Sequence, residues 1–489
     1  MKGPVNQPTS IANFDEYQRL FGGLWQPSTL SYAVEQYFEN GGRSCIVVRI
    51  ANGGCAPTLT LRCGAQTLNL IGVSPGSREY LRAAVDYDGI SADETDHFNL
   101  VIQRLRAAGT ELIEQQEILR RVSIRPQAER GLPGLLAKSQ LARLAGPLPS
   151  QRPDRTLGSG TAAAGYVVCN SDGNDGDTLT NYDIIGDALS GTGLFALRSS
   201  EPFNFLCVPP LARTLDVGLP TLLVALRLCR ERQAMLLVDP PTAWDTPAAA
   251  VEAVRRWPFH SEDALMFYPR LLAFDRLRGR YEQFGSAAAS AGLLSRADQV
   301  CPIWSRNDAE EPMLRPGLRS AASVTELDRI RLAQGGVNVL SSTRHGGRRQ
   351  DGLRTLLPEM AAKSDWRSLA SRRFALFVMS SIERGTSWVR FEHGGPPLWA
   401  QVRMQVMAFF EGLERDGAFV GRHAGENYFV VCDHRLNDAV AVARGRFQLL
   451  FGYAALRPGE FQSYLVTHEP DGSSARAASV NRYALPRQR

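Results

Sequence analysis

Lysine is almost missing from this sequence. Only Lys2, Lys138 and Lys363 occur among the 55 basic residues of a 489-residue chain, so arginine supplies nearly all the positive charge. No Gly-Lys dipeptide is present, which excludes a phosphate-binding loop of the form GxxxxGK[ST] and with it a Walker-type NTPase. None of the three lysines sits in an apolar stretch that would lower its pKa, so a Schiff-base mechanism lacks a candidate. The eight cysteines contain no CxxC pair and the seven histidines no HxxxH or HxH pair, which removes the common dithiol and zinc patterns. Most cysteines stand among apolar neighbours, as in Phe205-Leu206-Cys207-Val208, and read as reduced core residues. Long apolar runs are missing as well. No stretch approaches 18 uncharged apolar residues, and residues 1–8 have no signal-peptide core, so a cytosolic chain without membrane insertion is expected.

What remains is an ordinary folded composition, 44% apolar and 21% charged, of a length that suggests about three domains. The net charge of +5 is small, and acidic residues are interspersed with the arginines. With no zinc-finger, RNP or helix-turn-helix pattern, direct nucleic-acid binding is not expected. The exceptions are the basic loop 344–349 and the tail.

Periodicity divides the chain. A helix from Ser28 to Phe38, closed by Gly41-Gly42, leads to a strand at 44–50 (SCIVVRI). Residues 51–150 lose the helix-strand alternation and read as an inserted β-rich domain, ended by the Pro-rich segment 146–153. Alternation returns over 155–345, with strands near 203–208, 233–239 and 263–268 and a helix at 219–230. This predicts a mixed α/β, multidomain fold in which segment 1–50 packs with 155–345 and its strand completes a parallel sheet. Residues 346–472 form a carboxy-terminal α/β domain with helices at 365–384 and 398–416 and strands at 387–392, 428–432, 446–453 and 461–468. Residues 473–489 are polar and basic, a disordered tail or a linking arm.

Motifs that suggest chemistry fail on inspection. Gly72-Val73-Ser74-Pro75-Gly76 matches GxSxG, but Pro75 lacks the N–H that an oxyanion hole needs, so a turn is expected. Gly191-Thr192-Gly193 follows a helix-like stretch rather than a strand, and reads as a loop. The run 171–177 (SDGNDGD) begins like an EF-hand, yet Asp183 stands where the bidentate glutamate belongs. It reads as an acidic surface turn, and no cofactor or metal is expected. An enzyme alternative needs a deep pocket around His393, His423 or His434, acting as acid or base.

Several segments together resemble the tail sheath proteins of contractile phage tails, tailocins and related contractile injection systems. At the amino end these are Gly3-Pro4-Val5-Asn6-Gln7-Pro8, Phe21-Gly22, Phe38-Glu39-Asn40-Gly41-Gly42 and Val47-Val48-Arg49-Ile50. At the carboxy end they include Trp388-Val389-Arg390-Phe391-Glu392, Asp416-Gly417-Ala418-Phe419-Val420-Gly421, Tyr428-Phe429-Val430-Val431-Cys432-Asp433 and Pro458-Gly459-Glu460-Phe461. The resemblance implies a non-enzymatic subunit that stacks as six-fold rings around an inner tube and contracts. Its implied partners are copies of itself, the inner tube protein, and baseplate and tail terminator proteins. Assembly is implied in a host or producer cytoplasm, with release as a virion tail or extracellular particle. Residues 346–472 would face the tube and 51–150 would face outward. Sheath proteins usually carry an extended arm with a Pro-Gly-Val-Tyr-like motif before the Gly-Pro segment. This sequence opens on that segment, which leaves the usual arm-to-arm mesh open.

Two surfaces follow for such a machine. Phe461, Gln462, Ser463, Tyr464, Leu465 and Val466, with the tail, are candidates for a strand added to a neighbour's sheet, the alternative being an edge strand within one subunit. Glu411, Arg415, Asp416 and Arg422, at the end of helix 398–416, are candidates for meeting a ring of complementary charge on the tube.

Overall fold

The computed structural model describes residues 2–156, 165–171, 173–304, 314–340, 352–361, 365–392, 394–455 and 457–478. It is 30% helical and 26% strand, a mixed, multidomain fold. Two compact units emerge, one of residues 1–202, 208–228 and 272–292, the other of 203–207, 229–271 and 293–489. The chain passes from one to the other five times.

In the first unit, helix Phe14–Phe21 starts on Asn13, whose side chain accepts the Glu16 N–H at 2.8 Å, and stops at Gly22, which is left-handed at φ 94°. Helix Leu30–Glu39 follows, with the Leu30 N–H donating to Ser28 Oγ at 3.2 Å. Ile11, Tyr17, Phe21, Val34 and Val47 form the small core beneath them.

The strand expected at 44–50 is shorter, Cys45–Val47, and does not complete the parallel sheet. It pairs antiparallel with Thr9–Ile11 in a two-stranded sheet. The reason lies in its surroundings: only Val47 of the three is buried, whereas Met235–Val238 and Ala264–Tyr268, central strands of the parallel sheet, are buried throughout.

The stretch from 58 to 145, together with Val167–Val168, is β-rich. Thr58–Cys63, Gln66–Gly72 and Ala142–Ala145 make one sheet, and Tyr80–Asp86, His97–Leu105, Ile113–Ser123 and Val167–Val168 another. Leu61, Leu68, Leu70, Phe98, Leu100 and Ile102 belong to one core shared by both. Alternation sets this up, since Leu59, Leu61 and Cys63 point inward while Thr58, Thr60 and Arg62 do not.

The motif-like loops are joints. The carboxylate of Asp175 accepts from the Ser77 backbone N–H at 3.2 Å and lies 3.6 Å from Arg49 Nη2. Asn174 Oδ1 accepts the Cys55 N–H at 3.1 Å. Gly176, at φ +82°, lies so close to Asn52 that a Cβ would fall 2.0 Å from its carbonyl oxygen. The acidic run is thus a largely exposed turn, as its composition suggests, and it also clasps neighbouring loops through Asn174 and Asp175. Asp172 lies outside the described residues.

In the second unit, Phe205–Cys207, Met235–Val238, Ala264–Tyr268 and Asn338–Val339 form a parallel four-stranded sheet in that order. Helix Leu369–Gly385 buries Leu369, Phe374, Leu376, Val378 and Ile382. The long helix Pro396–Arg415 buries Leu398, Val402, Val406, Phe410 and Leu413, and Gly417 turns left-handed after it at φ 74°. Residues 387–392, expected as a strand, instead contain a 3-10 helix, Ser387–Phe391. Only Thr386 separates it from the preceding helix, so the chain tightens into one more turn instead of extending.

Asp263, 1% exposed, ties this unit together. Its Oδ1 accepts from Arg372 Nε at 2.8 Å and Nη2 at 2.5 Å, and its Oδ2 from Arg230 Nε at 2.9 Å. Arg372 also lies over the Trp366 ring, 5.0 Å from its centroid.

Candidate functional site

The last sheet runs in the order Tyr428–Val431, Phe447–Tyr453, Gln462–Glu469, Gly472–Ala477, all antiparallel. Five of the six candidate linking residues lie on its third strand, an interior one, and Phe461 immediately precedes it. Gln462 pairs with Tyr453, Leu465 with Leu450 on one side and Arg476 on the other, and Val466 with Leu449 and Ala475. Phe461 packs edge-on against Phe429, with ring centroids 5.2 Å apart. The Ser463 carbonyl accepts the Ala478 N–H at 2.8 Å. Tyr464 is buried near Phe451 and Tyr453, and burial pushes its hydroxyl up to about 12. Leu465 joins Val431, Leu436 and Leu450 in a core. Gln462–Glu469 therefore has ladders on both sides and is neither a free arm nor an edge strand.

The sheet's edges are Tyr428–Val431 and Gly472–Ala477. The second is the tail segment that its polar composition marked as disordered or linking. It is half-exposed, holds a single ladder among the described residues, and leads directly into residues 479–489, which lie outside them. A strand so placed presents unpaired backbone groups along its outer side.

The helix end behaves differently. Glu411, Arg415, Asp416 and Arg422 are all exposed, and among the described residues none of them forms an ion pair within the chain. Arg415 Nε reaches only the Glu411 carbonyl at 3.4 Å, the Asp416 carbonyl accepts from Trp304 Nε1 at 3.4 Å, and the Arg422 N–H donates to Glu426 Oε2 at 3.0 Å. The helical repeat puts Glu411 and Arg415 one turn apart on the outer face, continuous with Met404, which is 66% exposed, and Ala408. Two opposite pairs of uncommitted charge thus stand around one turn.

His423 and His434 lie on exposed surface, and His393 is outside the described residues, as is the basic loop 344–349. His423 and His434 are therefore not held in a deep pocket of the kind that acid-base catalysis needs.

One group escaped attention in the sequence. His468 is fully buried, with Nε2 2.8 Å from Thr386 Oγ1 and Nδ1 2.6 Å from Ser473 Oγ. Alternation along 464, 466 and 468 marks it as inward-facing, though nothing in the sequence names its two hydroxyl partners.

No protein-family profile and no curated protein matches this sequence. Solved structures do match. The chain has a TM-score of 0.52 and 13% identity to the sheath tail protein from Desulfitobacterium hafniense, over 96% of this chain and 94% of that one. Against the PVC sheath complex of an extracellular contractile injection system, in its contracted state, the values are 0.51 and 16%, over 94% and 85%. Against a chain of the anti-feeding prophage baseplate in its contracted state they are 0.52 and 18%, over 94% and 88%. The chain has the fold of contractile sheath proteins. The likeness spans nearly all of it, in agreement with the resemblance carried by its two ends.

Proposed function

We propose that this protein is the structural subunit of a contractile sheath. It polymerises as stacked six-fold rings around an inner tube and contracts to drive that tube through a target envelope. The observation that carries this reading is the fold match to sheath chains along 94–96% of the length. The surfaces of the second unit fit it. The outer side of Gly472–Ala477 gives a neighbouring copy a place to add backbone hydrogen bonds, which keep subunits joined while other contacts exchange. The uncommitted charges of Glu411, Arg415, Asp416 and Arg422 give the inner tube a complementary target. Baseplate and tail terminator proteins would bound the polymer at its ends. Assembly would take place in the producing cell's cytoplasm, with action after release as a virion tail or extracellular particle.

Electron microscopy of the purified chain, alone and with inner tubes from its own system, tests the proposal. Hollow six-fold cylinders or sheathed tubes of two lengths are expected. Monomers and small oligomers under every condition, with tubes left bare, would overturn it.

A further inference from the structure

The edge strand is fastened by a relay of hydrogen bonds that runs one way. The Thr386 hydroxyl donates to the Ile382 carbonyl at 2.7 Å, so its oxygen accepts from His468 Nε2. Nδ1 is then the bare nitrogen and accepts from the Ser473 hydroxyl. Thr386 caps helix Leu369–Gly385, His468 stands on Gln462–Glu469, and Ser473 is its direct cross-strand partner on Gly472–Ala477. One imidazole thus bolts the last strand of the sheet to the end of a buried helix.

In this relay the ring is neutral; a second ring proton would turn the Ser473 hydroxyl round to accept and would leave a positive charge buried between two neutral hydroxyls. From Phe447–Tyr453 the ring faces Phe447, 6.1 Å away between centroids, and from Gly472–Ala477 and the helix end it faces only hydroxyls. The 3-10 turn Ser387–Phe391 contributes Arg390, whose positive charge opposes a second one here. The neighbouring carboxylate, Glu469, is exposed, and Arg446 and Arg384, next along the packed elements, are cationic. Among the described residues no anion is offered to an imidazolium. Burial, with Arg390 adding to it, holds the ring's pKa down at about 4.

We propose that His468 is an acid-sensitive latch on the edge strand: protonating its ring leaves a buried charge between Thr386 and Ser473, and release of Gly472–Ala477 from the sheet brings that charge to water and frees a strand to pair with a second copy of this chain. The latch stands on geometry within one chain. Only the use of the released strand rests on the sheath reading.

The sign follows from linkage. A ring that takes up its proton near pH 6.5 when opened to water, but near 4 when latched, favours the open strand progressively as pH falls between those values. By pH 4 the opening equilibrium shifts by about a hundred-fold. Hydrogen exchange on the isolated full-length chain at pH 7, 5.5 and 4, corrected for intrinsic rates, reads this directly. Protection of residues 472–477 is expected to drop by about that factor, while residues 449–451 of the central strand keep theirs. H468Q, whose amide can donate to Thr386 and accept from Ser473 without titrating, is expected to abolish the drop, and S473A to loosen the strand already at pH 7. Should H468Q not fold, a ring titration of wild-type His468 by NMR decides. A midpoint near 6.5, unchanged protection down to pH 4, or the same acid loss in H468Q would each overturn the latch. A failed latch leaves polymer formation untouched, and a chain that never polymerises can still show the exchange step, so the two readings fail separately.

Discussion

Replacing Asp263 with alanine is expected to cost the second unit about 3–5 kcal/mol, the range for removing one partner of a buried ion pair. The figure belongs mainly to Arg372. Its side chain is 11% exposed and donates two hydrogen bonds to the lost carboxylate, so the guanidinium would stay buried with neither charge nor acceptor opposite it. Arg230 also binds Asp263, but at 57% exposure it is screened by water and adds at most a few tenths. Urea unfolding followed by tryptophan fluorescence measures the effect, because Trp366 lies against Arg372. At an m-value of about 3 kcal/mol/M the midpoint should fall by about 1–1.7 M. The double variant D263A/R372M removes the stranded charge and should recover most of the loss, since apolar replacement of a whole buried pair is often neutral. A single-variant cost below about 1 kcal/mol, or a double variant as unstable as D263A, would falsify the assignment of Arg372 as the stranded group.

Three further outcomes are expected. G176A should destabilise the first unit by about 2–4 kcal/mol, because its Cβ would overlap the Asn52 carbonyl at 2.0 Å and its φ of +82° disfavours a side chain; thermal unfolding that is unchanged would show that the clasp yields. Burial alone would push the Asp275 carboxyl up, but hydrogen bonds from Arg213, the Leu277 N–H and Tyr32 outweigh it and hold the group below the usual carboxylate range. Its stabilisation is therefore full above the unfolded pKa of about 4 and lost as pH falls further, so D275N should be less stable at pH 7 and show a flatter acid limb in urea titrations from pH 7 to 3. The charge exchange E411R/R415E should leave unfolding within about 0.5 kcal/mol, since both groups are exposed. It should nevertheless abolish co-sedimentation with inner tubes, and undiminished binding would remove this helix end from the tube contact.

Where side chains repeat along an amphipathic element, the sequence told the structure well. Helix Pro396–Arg415 was legible to within two residues at its start and one at its end, because its apolar spacing is unbroken and Gly417 stops it. The buried strands Met235–Val238 and Ala264–Tyr268 were legible from their continuous apolar runs. What could not be read was partnership. Cys45–Val47 has the composition of a sheet strand, but nothing local specifies that Thr9–Ile11 will be its neighbour. Gly472–Ala477 (GSSARA) has no alternating pattern at all, and becomes a strand only because Gln462–Glu469 offers it a ladder. That same ladder turned the expected linking strand into an interior one. The charged helix end was visible as composition, and its lack of internal pairing was not. His468 was visible as one of seven dispersed histidines, and its role depends on Thr386, 82 residues away.

The five passages of the chain between the two units carry a mechanical consequence. A pull that tries to part them is carried by five covalent backbones in parallel, so no single segment can unravel under load and let one unit drift from the other. The same passages also mean that no single cut in the sequence yields either unit as one uninterrupted piece.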